Sequence, residues 1–113
     1  MHEYSIVASL IERVEHLLDD HPRAAVRKVH VRIGEQAGVE IDLLRTAYDT
    51  FRERTVCERA ELAIEPVPAL WRCATCKREL ERGAVLQCCR RPAQLVSGDD
   101  IVLARVEMEV RDV

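Results

Sequence analysis

The chain has 113 residues, enough for one compact domain with a small appendage. Hydrophobic residues make up 48% and charged residues 33%, with a formal net charge of −3, which argues against a disordered chain and against the basic face that a nucleic-acid binder needs. One Phe, two Tyr and one Trp are too few for base-stacking platforms, and no apolar run approaches the roughly 20 residues of a membrane span.

The first element is an amphipathic helix. Ile6, Val7, Leu10, Ile11, Val14, Leu17 and Leu18 recur at three- and four-residue steps, with Glu12, Arg13, Glu15, Asp19 and Asp20 on the other side. Ser5 is its expected N-cap, and the helix should stop before Pro22. Residues 26–33 alternate: Val29, Val31 and Ile33 share one face, Lys28, His30 and Arg32 the other, which is the pattern of a half-buried strand. Gly34 and Gly38 bracket a turn. A second helix is expected over 41–55, with Ile41, Leu44, Tyr48 and Phe51 as its buried stripe and Asp42 suited to the helix dipole in its first turn.

Cys57, beside Val56, reads as a small buried hydrophobe. Residues 60–65 alternate again, with Leu62 and Ile64 on one face, and Pro66 and Pro68 are expected to end that strand. After a cysteine-rich segment, Ser97-Gly98-Asp99-Asp100 makes a polar turn. A long final strand follows over 101–110, with Val102, Ala104, Val106, Met108 and Val110 facing one way and Arg105, Glu107 and Glu109 the other. The order is α-β-α-β-insert-β, an α+β fold with two helices on a small three-stranded sheet and an inserted Cys-rich subdomain. The expected division is 1–67 with 99–113 as scaffold and 68–98 as insert.

The insert carries the strongest chemical signal. Trp71-Arg72-Cys73-Ala74-Thr75-Cys76 is followed, eleven residues on, by Cys88-Cys89. A Cys-x-x-Cys pair places two thiolates on one tight knuckle, and a second pair completes the tetrahedral sulfur site that Zn(II) accepts. The second pair here is vicinal. Neighbouring side chains in an extended segment point to opposite sides, so both sulfurs reach one ion only if the backbone turns sharply there. Cys73 and Cys76 are the firm zinc ligands; Cys88 and Cys89 either both bind, or one binds and another group completes the site. A secreted disulfide framework fits poorly, because His2, Glu3, Glu12 and Arg13 flank only a short, interrupted apolar run at the start of the chain. A cytoplasmic chain, whose thiols stay reduced, is expected. A thioredoxin-like redox pair fits poorly too, since no clear helix follows Cys76.

The amino terminus offers a second metal site. The Met1 amine, the backbone amide and imidazole of His2, and the amide of Glu3 can supply nitrogens to one ion in a plane, an arrangement suited to Ni(II) or Cu(II). The Glu3 carboxylate adds an oxygen ligand or a negative charge. His16, His21 and His30 read as solvated polar side chains.

Taken in order, Met1-His2-Glu3-Tyr4-Ser5, Arg32-Ile33-Gly34-Glu35 with Gly38-Val39, the Cys-x-x-Cys insert, and Val96-Ser97-Gly98-Asp99 before a final strand resemble the HypA/HybF family of nickel metallochaperones. The resemblance covers nearly the whole chain. It implies an α+β nickel-binding domain with a zinc domain inserted in it, delivering nickel to [NiFe]-hydrogenase, and in some bacteria to urease, alongside a HypB-like GTPase. It implies His2 as the essential nickel ligand beside the Met1 amine and the amides of His2 and Glu3. Glu3 and Glu40 would be lesser contributors, and the four cysteines would hold structural zinc. The expected partners are the GTPase, the hydrogenase large subunit and urease accessory proteins, with no nucleic acid and no membrane; a homodimer is left open. The sequence departs from the family pattern where the second Cys-x-x-Cys is compressed to Cys88-Cys89, without the usual intervening proline.

Two other readings come from different classes. One is a zinc-ribbon interaction module with no nickel role. The other is a thiol oxidoreductase using Cys73 and Cys76. No Ser-His-Asp order or His-Glu-x-x-His motif points to hydrolysis.

Overall fold

The computed structural model describes residues 2–80 and 87–110, the side chains of Gln87, Cys88 and Arg91 excepted. Two helices, α1 (His2–Asp19) and α2 (Ile41–Phe51), accompany eight strands: β1 (Ala24–Gly34), β2 (Glu61–Val67), β3 (Leu70–Arg72), β4 (Glu79–Leu80), β5 (Gln87–Cys88), β6 (Arg91–Pro92), β7 (Gln94–Ser97) and β8 (Ile101–Val110). The strands form a three-stranded sheet in the order β2-β1-β8, a second in the order β4-β3-β7, and the two-stranded pair β5-β6. This is the expected α+β fold. Two compact units result, one of Met1–Val31, Val39–Glu65 and Leu103–Val113, the other of Arg32–Gly38 and Pro66–Val102.

In the first unit most of each apolar stripe is buried, although Leu17 near the end of α1 is 43% exposed. Val7, Leu10, Ile11 and Val14 of α1, Val26, Val29 and Val31 of β1, and Leu44, Ala47 and Tyr48 of α2 are buried. Cys57 is buried as expected, and burial pushes its thiol pKa up. Tyr48 is fully packed, so its hydroxyl must find a partner. It donates to the Ala60 carbonyl at 2.8 Å and stitches α2 to the start of β2.

Several local expectations fail for identifiable reasons. Ser5 does not cap α1: the helix already includes His2, and the Ser5 hydroxyl donates to the His2 carbonyl at 3.1 Å from inside the first turns. Helix α2 stops at Phe51, short of residue 55, because a series of tight turns takes over. There Arg54 sits at φ 62° and the Thr55 hydroxyl donates to the Arg52 carbonyl at 2.6 Å, offering the backbone a local alternative to the helix. Phe51 is 44% exposed rather than buried, its ring edge-on to Tyr4 at 5.1 Å. Pro66 lies inside β2 instead of ending it, which an edge strand tolerates.

The final strand has the expected span, but its less exposed positions switch parity: Ile101 and Leu103 early, Val106 and Met108 late, leaving Val102 41% exposed. His30 is half-buried and engaged rather than simply solvated. Its Nε2 meets the Glu107 carboxylate across β1 and β8 and lies 3.2 Å from Arg105 Nη2. The hydrogen bond from His30, aided by the Arg105 charge, holds the Glu107 carboxyl below the usual range.

In the second unit, backbone meets backbone at two glycines. Gly34 donates to the Asp100 carbonyl at 2.9 Å and Gln36 to the Gly98 carbonyl at 2.7 Å. Glu35 donates its own N–H to Val67 at 2.8 Å, and its carboxylate accepts the Ala69 N–H at 3.1 Å. Gly98 holds φ 97°, a conformation L side chains rarely adopt. These contacts join the turn after β1 to both ends of the cysteine segment.

Candidate metal sites

The cysteine site is built from two hairpins. Strand β3 leads into Cys73, the chain turns through Ala74 and Thr75, and β4 returns antiparallel with Trp71 opposite Leu80 and Arg72 opposite Glu79. Within the knuckle the Cys73 N–H donates to Arg78 at 2.8 Å and the Lys77 N–H donates to Cys73 at 3.0 Å. Lys77 takes φ 64° to close it. The second hairpin pairs Gln87 with Pro92 and Cys88 with Arg91, leaving Cys89 and Arg90 as a two-residue turn at φ 54° and 60°. Positive φ at both central positions marks the primed type that suits the twist of paired strands. The chain therefore turns sharply where the vicinal cysteines need it to.

The hairpins converge on sulfur. The Sγ atoms of Cys73, Cys76 and Cys89 all lie within 4.8 Å of one another. Zinc–thiolate bonds of about 2.3 Å in a tetrahedron place sulfurs about 3.8 Å apart, so this set fits zinc with small closure. Cys73 is 1% exposed, whereas Cys76 and Cys89 face solvent. The Cys88 side chain lies outside the described residues. Cys57 takes no part in the cluster. Neither Lys77 nor the Cys89-Arg90 turn was foreseeable, because neither position carries the glycine or asparagine that announces such backbone.

The amino-terminal residues form a different kind of site in the first unit. Met1 lies outside the described residues. His2 opens α1 with a side chain 58% exposed. Glu3, in the same turn, is only 8% exposed and is the one buried charged residue among those described. Its Oε2 accepts the Glu40 N–H at 3.4 Å and lies 3.7 Å from His2 Nε2. Hydrogen bonds from its own amide and from that of Glu40 hold its carboxyl below the usual range, with the His2 charge adding to them. Glu40 occupies the N-cap of α2 with no cap bond from its own side chain. The structure thus gathers His2, Glu3 and Glu40 at the adjoining starts of two helices. His16 remains exposed, near Glu12 and Asp19.

Comparison with known proteins identifies the family. A family described as "HypA: Hydrogenase/urease nickel incorporation, metallochaperone, hypA" matches residues 1–108. A hydrogenase maturation factor HypA of Shewanella baltica (strain OS185) is 40% identical over 114 residues, spanning 96% of this chain and 97% of that protein. The HypA of Wolinella succinogenes is 39% identical over 117 residues, spanning 99% and 98%. The solution structure of the Ni metallochaperone HypA from Helicobacter pylori superposes with a TM-score of 0.73 at 30% identity, covering 98% of this chain and all (100%) of that one. The match runs through both units and over nearly the full length of each relative, and on it the chain belongs to the HypA family of nickel metallochaperones in hydrogenase maturation.

Proposed function

We propose that this chain carries one Ni(II) at its amino terminus and hands it over by ligand exchange, without catalysing a reaction. The nickel is cargo. His2 is the essential ligand, through its imidazole, with the Met1 amine and the backbone amides of His2 and Glu3 completing a planar nitrogen set; Glu40 is a lesser contributor. The observation that carries the reading is the placement of an exposed His2 at the first turn of α1, beside Glu3 and Glu40. A carrier needs ligands that can be withdrawn one at a time, and a chain end meets that need. The recipient is the [NiFe]-hydrogenase large subunit, with urease as a second destination. A HypB-like GTPase acts alongside in the cytoplasm, and urease accessory proteins and a homodimer belong to the same reading.

Residues 1–67 with 99–113 form the nickel-binding domain and 68–98 the zinc-binding insert. In that insert Cys73, Cys76, Cys88 and Cys89 hold a structural Zn(II). The ion supplies a fixed charge and a cross-link between two short hairpins, and the sulfurs orient the knuckle around it. No helix among the described residues is long and apolar enough to cross a membrane.

His2→Ala tests the nickel reading. Calorimetry on protein with an unblocked amino terminus should show a loss of nickel affinity at or beyond the roughly 10- to 100-fold typical of removing a mere outer partner of a metal ligand. Zinc content and helical signal should stay unchanged. Equal nickel affinity in the variant would leave a zinc-ribbon interaction module as the better reading.

A further inference from the structure

We infer that the Glu3 side chain is a positioning residue for nickel rather than a ligand: its carboxylate clasps the Glu40 amide and orients the His2 ring. The inference rests on the amino-terminal nickel reading and narrows the part Glu3 plays in it.

The argument starts from burial. A charged residue that is 8% exposed must be engaged or it destabilises the fold. The carboxylate of Glu3 is engaged by backbone: its Oε2 accepts the N–H of Glu40, 37 residues away. That amide opens α2, where Glu40 has no side-chain cap of its own. An anion at a helix start meets the positive end of the helix dipole, and this one satisfies the amide of the N-cap residue. Glu3 thereby ties the first turn of α1 to the first turn of α2. The residues that would chelate nickel are the ones next to this tie.

The same oxygen lies 3.7 Å from His2 Nε2. Chelation through an amide and its own imidazole uses the near ring nitrogen, Nδ1, because it closes a six-membered ring. Nε2 is then left to face a carboxylate, the usual outer partner of a metal-bound histidine, which fixes tautomer and ring angle. An oxygen held by the Glu40 amide at 3.4 Å, with the imidazole 3.7 Å away, is poorly placed to leave for the metal. Outer partners of this sort typically change metal affinity by about 10- to 100-fold.

Glu3→Gln and Glu3→Asp separate the two roles. Glutamine keeps the reach and an acceptor oxygen but loses the charge. Aspartate keeps the carboxylate but is one methylene short. A positioning role predicts Gln above Asp: Glu3→Gln keeps the d–d absorption band and loses no more than about tenfold in nickel affinity with the charge, whereas Glu3→Asp is weaker again by about tenfold or more. The nickel-free protein gives an independent readout. Amide hydrogen exchange at Glu40 should quicken in Glu3→Asp and stay slow in Glu3→Gln. A shifted band in Glu3→Gln, with Asp binding better than Gln, would make the carboxylate a ligand and overturn the inference. So would unchanged Glu40 exchange in Glu3→Asp. Loss of the amino-terminal nickel reading itself would show only in His2→Ala, through unaltered nickel affinity, and would leave the exchange result standing.

Discussion

Cys73→Ser should release the zinc and unravel both hairpins of the cysteine unit while leaving the two helices intact. Cys73 is the buried sulfur of the cluster and the pivot of the knuckle, its N–H and carbonyl both bonded within the turn. Strands β4, β5 and β6 have two residues each, far too few to persist as isolated hairpins. On the proposed zinc assignment, metal binding and folding would be one event in this part of the chain, and binding free energies for structural zinc run to about 10–16 kcal/mol in small peptides. Trp71 is the only tryptophan, and it lies in β3 two residues before Cys73, so its fluorescence reports on the knuckle. The expected result is zinc below a tenth of the wild-type content by elemental analysis, a red-shifted Trp71 emission, and little change at 222 nm. Cys57→Ser is the control, since Cys57 stands outside the cluster; it should keep its zinc. One zinc per chain retained in Cys73→Ser would refute the assignment.

Gly34→Ala should strongly destabilise the unit that holds it. A Cβ at Gly34 would sit 2.2 Å from both the carbonyl carbon and oxygen of Gly98 and 2.7 Å from the Asp99 nitrogen. All three are backbone atoms, so no side chain can swing aside. Overpacking typically costs about 1–3 kcal/mol, and a clash of backbone with Cβ belongs at or beyond the upper end. Gly38→Ala makes the comparison quantitative. Gly38 has φ 71° but nothing within 4 Å of its missing Cβ, so only the left-handed conformation is strained, at about 1–2 kcal/mol. Denaturant unfolding followed by Trp71 fluorescence should rank Gly34→Ala well below Gly38→Ala. Equal stabilities would mean that the Gly34–Gly98 approach is not part of the folded unit.

The residues explain which features were legible in the sequence. Val29, Val31 and Ile33, and the helical spacing of Val7, Leu10, Ile11 and Val14, carry strong periodic signals, and each lies buried where its period puts it. The knuckle was legible because Cys-x-x-Cys with further cysteines a short distance on matches the spacing of a zinc site. The end of α2 was not, because Arg54 and Thr55 break the helix through local backbone chemistry that pattern does not encode. The parity switch in β8 was hidden because Val102, Ala104 and Val106 look like one face. The turn at Cys89-Arg90 has no turn residue to announce it, and its φ values came only with the fold. His2 and Glu3 could be named from the nitrogens and carboxylate they offer beside the Met1 amine, and Glu40 from its place in a resemblance. The bond from the Glu40 amide to the Glu3 carboxylate spans 37 positions, and no spacing rule reaches that far.

The most direct test of the nickel site is X-ray absorption of the zinc-replete protein, with an unblocked amino terminus and one equivalent of Ni(II). The expected spectrum shows a four-coordinate, planar shell of nitrogen donors with imidazole scattering, and the imidazole component disappears in His2→Ala. A nickel shell made only of sulfur, unchanged by His2→Ala, would contradict it and move the cargo to the cysteine cluster.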